Sequence, residues 1–278
     1  MKIKDHKLIA ESGDKVEFKE TPNHSGEFGE GLPDTIVIHY TAGGSLDSSV
    51  NWLINPDAKA SAHLVIAKDG KVVQLAPFNI KTWHAGISRW KNRKNLNHYS
   101  IGIELDNAGL LEKRADGYYT HFDKKIDNAR VVLARHKNQQ EEKAWEAFTE
   151  KQIERVEVIC QLLAKEYSVK ELVGHDDIAP GRKTDPGPAF PLNTIRDKIL
   201  FGRKDDEEAD LAGKSGKKGM VTADFLNIRS KPDLGSLKVS DPLPGGTKVR
   251  IMDEKDGWYY VNVDLEGWVS SKWVKKPG

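Results

Sequence analysis

Apolar residues recur along this chain in short runs that are separated by polar and glycine-containing turns. Residues 35–40 and 100–106 are nearly continuous apolar runs, the pattern typical of buried strands. Residues 62–67 and 71–75 flank Lys68-Asp69-Gly70, a turn with glycine at its end. Two apolar runs joined by such a turn predict a β-hairpin.

Three helices are predicted among these strands. The longest covers residues 149–167, where apolar side chains follow a 3.6-residue spacing. Shorter helices are expected at residues 46–55, which Pro56 ends, and at residues 192–201. Strands interspersed with helices favour an α/β fold with a central mixed sheet flanked by helices.

Two polar stretches give weaker patterns. Residues 1–34 are predicted to be irregular, and the charged residues 107–147 suggest two short helices. His121 and His136 lie in the charged stretch and are expected to be solvated. The remaining histidines outside the motifs described below are given no role: His6, His24 and His98.

The composition of the chain changes after residue 201. Residues 202–219 are dominated by charge and glycine and are interpreted as a linker. Residues 220–278 carry short β-type runs between glycine, proline and aspartate turns, which predicts a small β-barrel. The expected organisation is a first domain at residues 1–201, the linker, and this second domain.

Composition excludes several classes of partner. The 278 residues carry a net charge of +1, so no nucleic-acid partner is expected. No apolar run approaches the length of a membrane span. Cys160 is the one cysteine, which excludes an intrachain disulfide, and its helical position predicts a buried thiol. The protein is expected to be a monomer.

The N-terminus shows no signal peptide, because its first residues lack an apolar core. We expect a chain that is cytoplasmic at synthesis, is exported by another route, or has been trimmed of its signal. Action in the periplasm or outside the cell stays open.

Two histidines and an aspartate form a candidate metal site. His39 ends the first predicted strand, and His175 and Asp185 lie in a segment rich in proline and glycine. Such a set can hold zinc and leave a fourth position for water, although a loop held by ordinary turns is an alternative. Glu104 ends another strand, and Lys183 precedes Asp185 by two residues. A base and a cation beside a metal are typical of a metal-assisted hydrolase.

Four motifs occur in an order that resembles the type 2 N-acetylmuramoyl-L-alanine amidases, relatives of peptidoglycan recognition proteins and phage lysozyme-type amidases. They are residues 61–70, Trp83-His84-Ala85-Gly86, residues 100–104 and residues 174–187. The resemblance covers about residues 20–200. It is strongest to the branch that contains the anhydro-muropeptide amidase of cell-wall recycling.

The resemblance implies one Zn²⁺ held by His39, His175 and Asp185, with catalytic roles for Glu104 and Lys183. The bond cut would join the lactyl group of N-acetylmuramic acid to L-alanine of the stem peptide. Glu104 can accept the proton of the attacking water and pass it to the leaving amine, and Lys183 can stabilise the oxyanion.

The resemblance also implies substrate contacts and a partner. His63, Trp83 and His84 match cleft positions of the family, with a packed hairpin as the alternative interpretation. Trp83 could pack against a sugar face, and His84 could hydrogen-bond the substrate. The partner is then peptidoglycan or a soluble muropeptide.

The C-terminal part resembles bacterial SH3-like domains, through residues 226–232, 256–261 and 267–269. Such modules often bind peptidoglycan in cell-wall enzymes. Aromatic side chains could line a peptide groove there: Trp258, Tyr259, Tyr260, Trp268 and Trp273.

Two alternative functions stay open. A cytoplasmic recycling amidase would act on soluble anhydro-muropeptides, which the missing signal favours, whereas the SH3-like domain favours intact wall. A non-catalytic peptidoglycan-binding protein could keep the same fold, but the complete set of metal ligands, base and cation argues against it. Lytic, remodelling and recycling roles are not distinguished.

Overall fold

The protein divides into two compact units, Met1–Arg203 and Lys204–Gly278. The structure, a computed structural model, describes residues 1–11, 16–201, 217–222, 225–234, 236–244, 246–255 and 257–263. In this part of the chain, no helix has both the length and the apolar character needed to cross a membrane.

Seventeen strands and four α-helices lie in the described residues of the first unit. The strands are β1 (Lys2–Lys4), β2 (Lys7–Ile9), β3 (Val16–Phe18), β4 (His24–Glu27), β5 (Thr35–Tyr40), β6 (Leu64–Ile66), β7 (Val72–Gln74), β8 (Ile80–Thr82), β9 (Arg89–Trp90), β10 (Arg93–Lys94), β11 (Ser100–Leu105), β12 (Leu110–Arg114), β13 (Gly117–Tyr119), β14 (Lys125–Ile126), β15 (Val131–Arg135), β16 (Glu142–Glu146) and β17 (Glu171–Gly174). The helices are α1 (Leu46–Leu53), α2 (Glu150–Tyr167), α3 (His175–Ile178) and α4 (Leu192–Phe201), with 3-10 turns at Pro56–Ala58, Leu96–His98 and Asn128–Arg130.

A six-stranded mixed sheet forms the centre of the first unit, in the order β17-β5-β11-β6-β7-β3. The strands β17, β5, β11 and β6 run parallel, and β7 turns back antiparallel to β6. Ile36, Val37 and Ile38 of β5 are completely buried, so both faces of this strand are covered. The predicted α/β fold with a central mixed sheet is confirmed.

Helix α2 covers one face of this sheet. It begins at Thr149, whose hydroxyl accepts a hydrogen bond from the Gln152 backbone N–H, while the Gln152 side chain accepts from Thr149 N–H. Val156 and Ile159 are buried in the main core, and Cys160 is buried beside them as predicted. Burial raises the pKa of the Cys160 thiol, which leaves it unreactive.

The prediction that residues 1–34 are irregular is wrong. Strands β1 and β2 pair with each other, β4 pairs with β8, and β3 extends the central sheet beside β7. These strands are three or four residues long. β1 and β2 form a local hairpin, whereas the partners of β3 and β4 lie far along the chain, so local pattern alone does not reveal strands this short.

The two short helices suggested within residues 107–147 are also wrong. This stretch forms a five-stranded antiparallel sheet in the order β14-β13-β12-β16-β15, called here the inserted sheet (residues 110–146). One side packs on a small apolar cluster: Ala108, Leu111, Ile126 and Ala144. Charged residues on the other side hide the two-residue period of these strands.

Glu146, at the end of β16, joins the inserted sheet to the hairpin of the central sheet. Its carboxylate is completely buried. Lys68 Nζ, in the turn between β6 and β7, lies 2.7 Å from Oε1, and Ala108 N–H donates to Oε2 over 2.6 Å. Arg130 also pairs with Oε1. A buried carboxylate is tolerated because these donors satisfy it.

Strands also form the described part of the second unit: β18 (Lys217–Met220), β19 (Phe225–Leu226), β20 (Leu243–Pro244), β21 (Lys248–Lys255) and β22 (Trp258–Val263). β18, β21 and β22 form an antiparallel sheet, and β19 pairs with β20. The predicted small β domain is confirmed.

The linker prediction, residues 202–219, lies outside the described residues except for 217–219, which belong to β18. The predicted strand at 267–269 and the aromatic residues Trp268 and Trp273 also lie outside them.

Replacing Glu146 tests the attachment of the inserted sheet. We expect Glu146→Ala to lower the free energy of unfolding by about 2–4 kcal/mol, because Lys68, Arg130 and a buried N–H lose their acceptor. Urea denaturation followed by circular dichroism measures the change. Glu142→Ala is the matched control, since Glu142 is exposed at the other end of β16. Equal stability of both variants would contradict this account.

Candidate metal centre and active site

The register of three parallel strands brings the predicted site residues together. Ile38 lies opposite Gly174, and His39 lies opposite Glu104. His175 directly follows Gly174, so it emerges at the sheet edge beside His39. The carboxyl ends of parallel strands share one edge, where ligands of open α/β sheets bind.

Asp185 reaches the same edge on the loop that follows α3. The Asp176 backbone N–H donates to the Asp185 carbonyl oxygen over 2.8 Å, which ties the loop back to its start. His39 Nδ1, His175 Nδ1 and Asp185 Oδ2 then form a triangle with three edges of 2.9 Å. All three side chains are buried, and they could hold a metal ion.

Hydrogen bonds on the far side of each imidazole determine which nitrogen carries the proton. His175 Nε2 lies 3.1 Å from the Ala85 carbonyl oxygen, which can only accept, so this nitrogen donates. His84 Nε2 likewise donates to the Ser100 carbonyl oxygen over 3.1 Å. His84 Nδ1 is therefore an acceptor, and His39 Nε2–H donates to it over 3.0 Å.

Both Nδ1 atoms of the triangle consequently lack a proton in the neutral rings. Burial, together with the nearby His175, lowers the pKa of His39 to about 4, so its ring is neutral at pH 7. With both rings neutral, three acceptors lie 2.9 Å apart and repel one another unless a cation lies between them. Tetrahedral zinc with bonds of about 2.0–2.1 Å needs edges of roughly 3.3 Å, so a small expansion would fit it.

Glu104 faces the triangle from the neighbouring strand β11. Its Oε2 is buried and has no hydrogen-bond partner among the residues that the structure describes. Burial and, to a smaller extent, the negative charge of Asp185 raise the pKa of Glu104 to about 8, and the positive charge of Lys183 offsets part of this rise. A carboxyl with such a high proton affinity is suited to accept a proton near neutral pH.

One open cavity of about 500 Å³ contains all five predicted chemical residues, His39, Glu104, His175, Lys183 and Asp185. Trp52 and Trp83 also line it. Trp83 is held in place by an indole N–H that donates to Ser25 Oγ over 2.7 Å. Its ring remains partly exposed at the cavity wall.

His63 does not lie in this cavity, and its predicted substrate contact does not fit the structure. The ring is completely buried. Its Nε2 donates to the Ile80 carbonyl oxygen over 2.7 Å, and its Nδ1 accepts from Gly102 N–H over 3.0 Å. Both nitrogens therefore hold strands together, the packed-hairpin alternative.

His84 lines the cavity, but its predicted hydrogen bond to substrate does not fit either. One ring nitrogen bonds to Ser100 and the other to His39, so the His84 ring orients the candidate ligand His39. Gly102 makes this possible, because a Cβ there would lie 2.4 Å from the His84 ring. A glycine inside a strand signals such close approach.

His136 was predicted to be solvated, and this is wrong. Its ring is 1% exposed, and its Nε2 lies 2.9 Å from Asp176 Oδ2, next to the candidate ligand His175. The contact joins residues 40 apart in sequence, and no local motif marks it. His121, in the same inserted sheet, is exposed as predicted.

Comparison with known proteins finds a matching family for each of the two parts of the chain. A family model described as N-acetylmuramoyl-L-alanine amidase matches residues 29–188, and one described as bacterial SH3 domain matches residues 224–275. The 1,6-anhydro-N-acetylmuramyl-L-alanine amidase AmpD of Escherichia coli K12 is 29% identical over 195 residues, covering 63% of this chain and 87% of AmpD.

A second curated relative and a solved structure are also amidases of this kind. The N-acetylmuramoyl-L-alanine amidase AmiD of Escherichia coli K12 is 31% identical over 214 residues, covering 72% of this chain and 68% of AmiD. A crystal structure of a selenomethionine derivative of AmpD matches with a TM-score of 0.50 at 25% identity, covering 72% of this chain and 99% of that one.

Glu104 should destabilise the metal-free protein at neutral pH. Its folded-state pKa of about 8 exceeds the ordinary value of 4.5, so stability falls as pH rises between these values. Glu104→Gln cannot ionise, and we expect it to be more stable than the parent by on the order of 2 kcal/mol at pH 8, with little difference at pH 4.

Thermal unfolding in the presence of a chelator, repeated from pH 4 to pH 8, measures this difference. Glu20→Gln is the control, because Glu20 is exposed and should show no such trend. A stability difference between Glu104→Gln and the parent that does not widen with pH would contradict the raised pKa of Glu104.

Proposed function

The chain belongs to the N-acetylmuramoyl-L-alanine amidase family, and we propose that its amidase activity depends on one Zn²⁺ held by His39, His175 and Asp185. The observation that carries this proposal is the triangle of three buried acceptor atoms with edges of 2.9 Å. Imidazole nitrogens and a carboxylate oxygen are the ligand set of catalytic zinc sites, which keep a fourth position open.

When bound by these three residues, zinc would supply Lewis acidity for polarising the amide carbonyl and for activating a water molecule. The protein contributes the remaining steps. Its rigid triangle, oriented from behind by His84 and the Ala85 carbonyl, holds the ligands with their lone pairs inward. Such outer contacts fix ligand tautomers and raise ligand basicity.

Glu104 is proposed as the proton carrier. It faces the triangle from the adjacent strand, and its buried Oε2 has no hydrogen-bond partner among the described residues, so this oxygen is available to accept a proton. It accepts the proton of the attacking water and then delivers it to the L-alanine nitrogen as the amide bond breaks. The raised pKa lets the same carboxyl serve in both directions.

Lys183 is proposed to stabilise the negative charge that develops on the carbonyl oxygen. It lies two residues before Asp185 and lines the same cavity. A positioned cation accelerates a reaction most when the charge that it stabilises appears only in the transition state.

Trp83, on the cavity wall, offers a flat apolar surface against which a sugar ring can pack.

The first test separates metal binding from proton transfer. We expect the purified protein to hold one zinc per chain, and His39→Ala to lose zinc and activity together, because two ligands hold zinc poorly. Glu104→Ala should keep zinc and lose kcat by roughly 10²–10⁴-fold. Elemental analysis and mass analysis of muropeptide products measure these quantities.

His98→Ala is the matched control, since this exposed histidine should affect neither quantity. Full zinc occupancy in His39→Ala would refute the ligand assignment. An unchanged kcat in zinc-loaded Glu104→Ala would mean that another group carries the proton.

The second unit is proposed to bind intact peptidoglycan, since its strands and matched residues 224–275 are those of a bacterial SH3 domain. A tethered module raises the residence of the catalytic unit on a polymer without changing the chemistry. A chain that ends at Gly213 should then match the parent on soluble muropeptides and be slower on insoluble sacculi.

Comparing both rates for both chains distinguishes three cases. An unchanged rate on sacculi would exclude the second unit as a wall anchor. Loss of activity on the soluble substrate as well would mean that the second unit completes the cleft or stabilises the first unit. A preference of the full chain for soluble anhydro-muropeptides over sacculi would favour the recycling role.

A further inference from the structure

Asp176 is a buried acid that contacts both ends of the metal-binding loop. It directly follows the candidate ligand His175 and is 3% exposed. Its backbone N–H donates to the carbonyl oxygen of Asp185, the second candidate ligand on this loop, over 2.8 Å. A shift of Asp176 would therefore move two of the three acceptors in the triangle.

The inserted sheet supplies side-chain partners for this residue from the turn between β15 and β16. His136 Nε2 lies 2.9 Å from Asp176 Oδ2, and Lys137 Nζ lies 2.8 Å from Oδ1. Asn138 Nδ2 donates to the Asp176 carbonyl oxygen over 3.0 Å. Three consecutive residues of one turn thus hold a single residue of the metal loop.

The tautomer of His136 is fixed by its second nitrogen. The Asn138 backbone N–H donates to His136 Nδ1 over 3.1 Å, so the ring proton is on Nε2 and points at the Asp176 carboxylate. A neutral His136 is sufficient for this hydrogen bond. The bond to an ionised acceptor is of the stronger, charge-assisted kind.

Packing holds the His136 ring in place. It stacks on Trp145 of β16, with ring centroids 5.7 Å apart and planes inclined by 28°. Trp145 also packs against the other end of the metal loop, because a Cβ on Gly187 would lie 3.1 Å from its ring. The inserted sheet therefore contacts the loop just after each of its two candidate ligands, at Asp176 after His175 and at Gly187 after Asp185.

We propose that His136 is a positioning residue for the metal centre, acting through Asp176. The proposal rests on the metal site of the proposed function. His136 holds the Asp176 carboxylate in one orientation, which keeps the segment from His175 to Asp185 in the geometry that the ion needs. Preorganised ligands bind a metal more tightly, because less order is lost on binding.

Two isosteric variants separate the hydrogen bond from simple packing. The Nε2 donor of histidine is reproduced by the amide nitrogen of glutamine, and the Nδ1 acceptor by the amide oxygen of asparagine. His136→Gln should keep the bond to Asp176, whereas His136→Asn should keep the bond from Asn138 and lose the one to Asp176. His121→Asn is the control for the substitution itself, on an exposed histidine of the same sheet.

The experiment titrates the full-length, metal-free proteins with Zn²⁺ against a competing chelator. Loss of a contact that orients metal ligands costs 10–100-fold in affinity, so we expect about a tenfold loss in His136→Asn. His136→Gln and His121→Asn should bind within a factor of about two of the parent. Titration with Co²⁺ adds a readout, because a distorted site in His136→Asn should change the visible absorption of the bound ion.

Parent affinity and spectrum in His136→Asn would overturn the proposal. Equal losses in His136→Asn and His136→Gln would also overturn it, because packing rather than the bond to Asp176 would then be responsible. If His136→Asn does not fold, Asp176→Asn removes the accepting charge at constant size. It should weaken zinc binding in the same direction, and an unchanged affinity would be decisive against the proposal.

Failure of the underlying function would appear differently. A parent protein that takes up no zinc would refute the metal site itself, whatever the variants do. A parent that binds zinc with no difference among the variants would refute only the role of His136.

Discussion

The alignment of three neighbouring parallel strands, β17, β5 and β11, is the constraint on which the rest of the first unit depends. Their register places Glu104 opposite His39 and brings His175 out one residue beyond the pair formed by Gly174 and Ile38. A slip of one residue in any of these strands would turn the site residue of that strand to the other face of the sheet. The completely buried apolar residues of β5 and β11 hold the register, because they would be exposed or misplaced by such a slip.

The polar groups that this register brings together lower the stability of the metal-free protein. Two imidazole lone pairs and a carboxylate meet at 2.9 Å, and Glu104 is half-buried, with a buried Oε2 that has no hydrogen-bond partner in the described protein. Each arrangement costs free energy when no cation is bound. Hydrogen bonds behind the site offset part of this cost by fixing the rings from outside: Ser100 to His84 to His39, and Ala85 to His175. Catalytic groups of this kind are commonly held in place by structure that surrounds them.

Sequence reasoning succeeded where a signal was local. The apolar strands ending in His39 and Glu104, and the segment containing His175 and Asp185, stand out by pattern, and their residues converge in one cavity. It failed where function depended on contacts between distant segments. His63 and His84 look like cleft residues by motif, yet their nitrogens bond to the protein, and the glycine that admits the His84 ring is a subtle signal in β11. The inserted sheet was missed because charged residues on its outer side concealed its alternation.

Some of the polar and charged side chains of the inserted sheet make contacts inside the protein. Glu146 is buried at one end of the inserted sheet, paired with Lys68 in the hairpin turn of the central sheet. At the other contact the buried acid belongs to the metal loop, and the sheet supplies His136 and Lys137 to it. A buried charge tolerates few positions of its partner, because an unpaired one is costly. Two such contacts at separate points fix both the position and the rotation of the inserted sheet. A purely apolar contact is not directional and would restrain both less. A segment whose composition suggests a solvated surface thereby supports the loop that carries the candidate metal ligands His175 and Asp185.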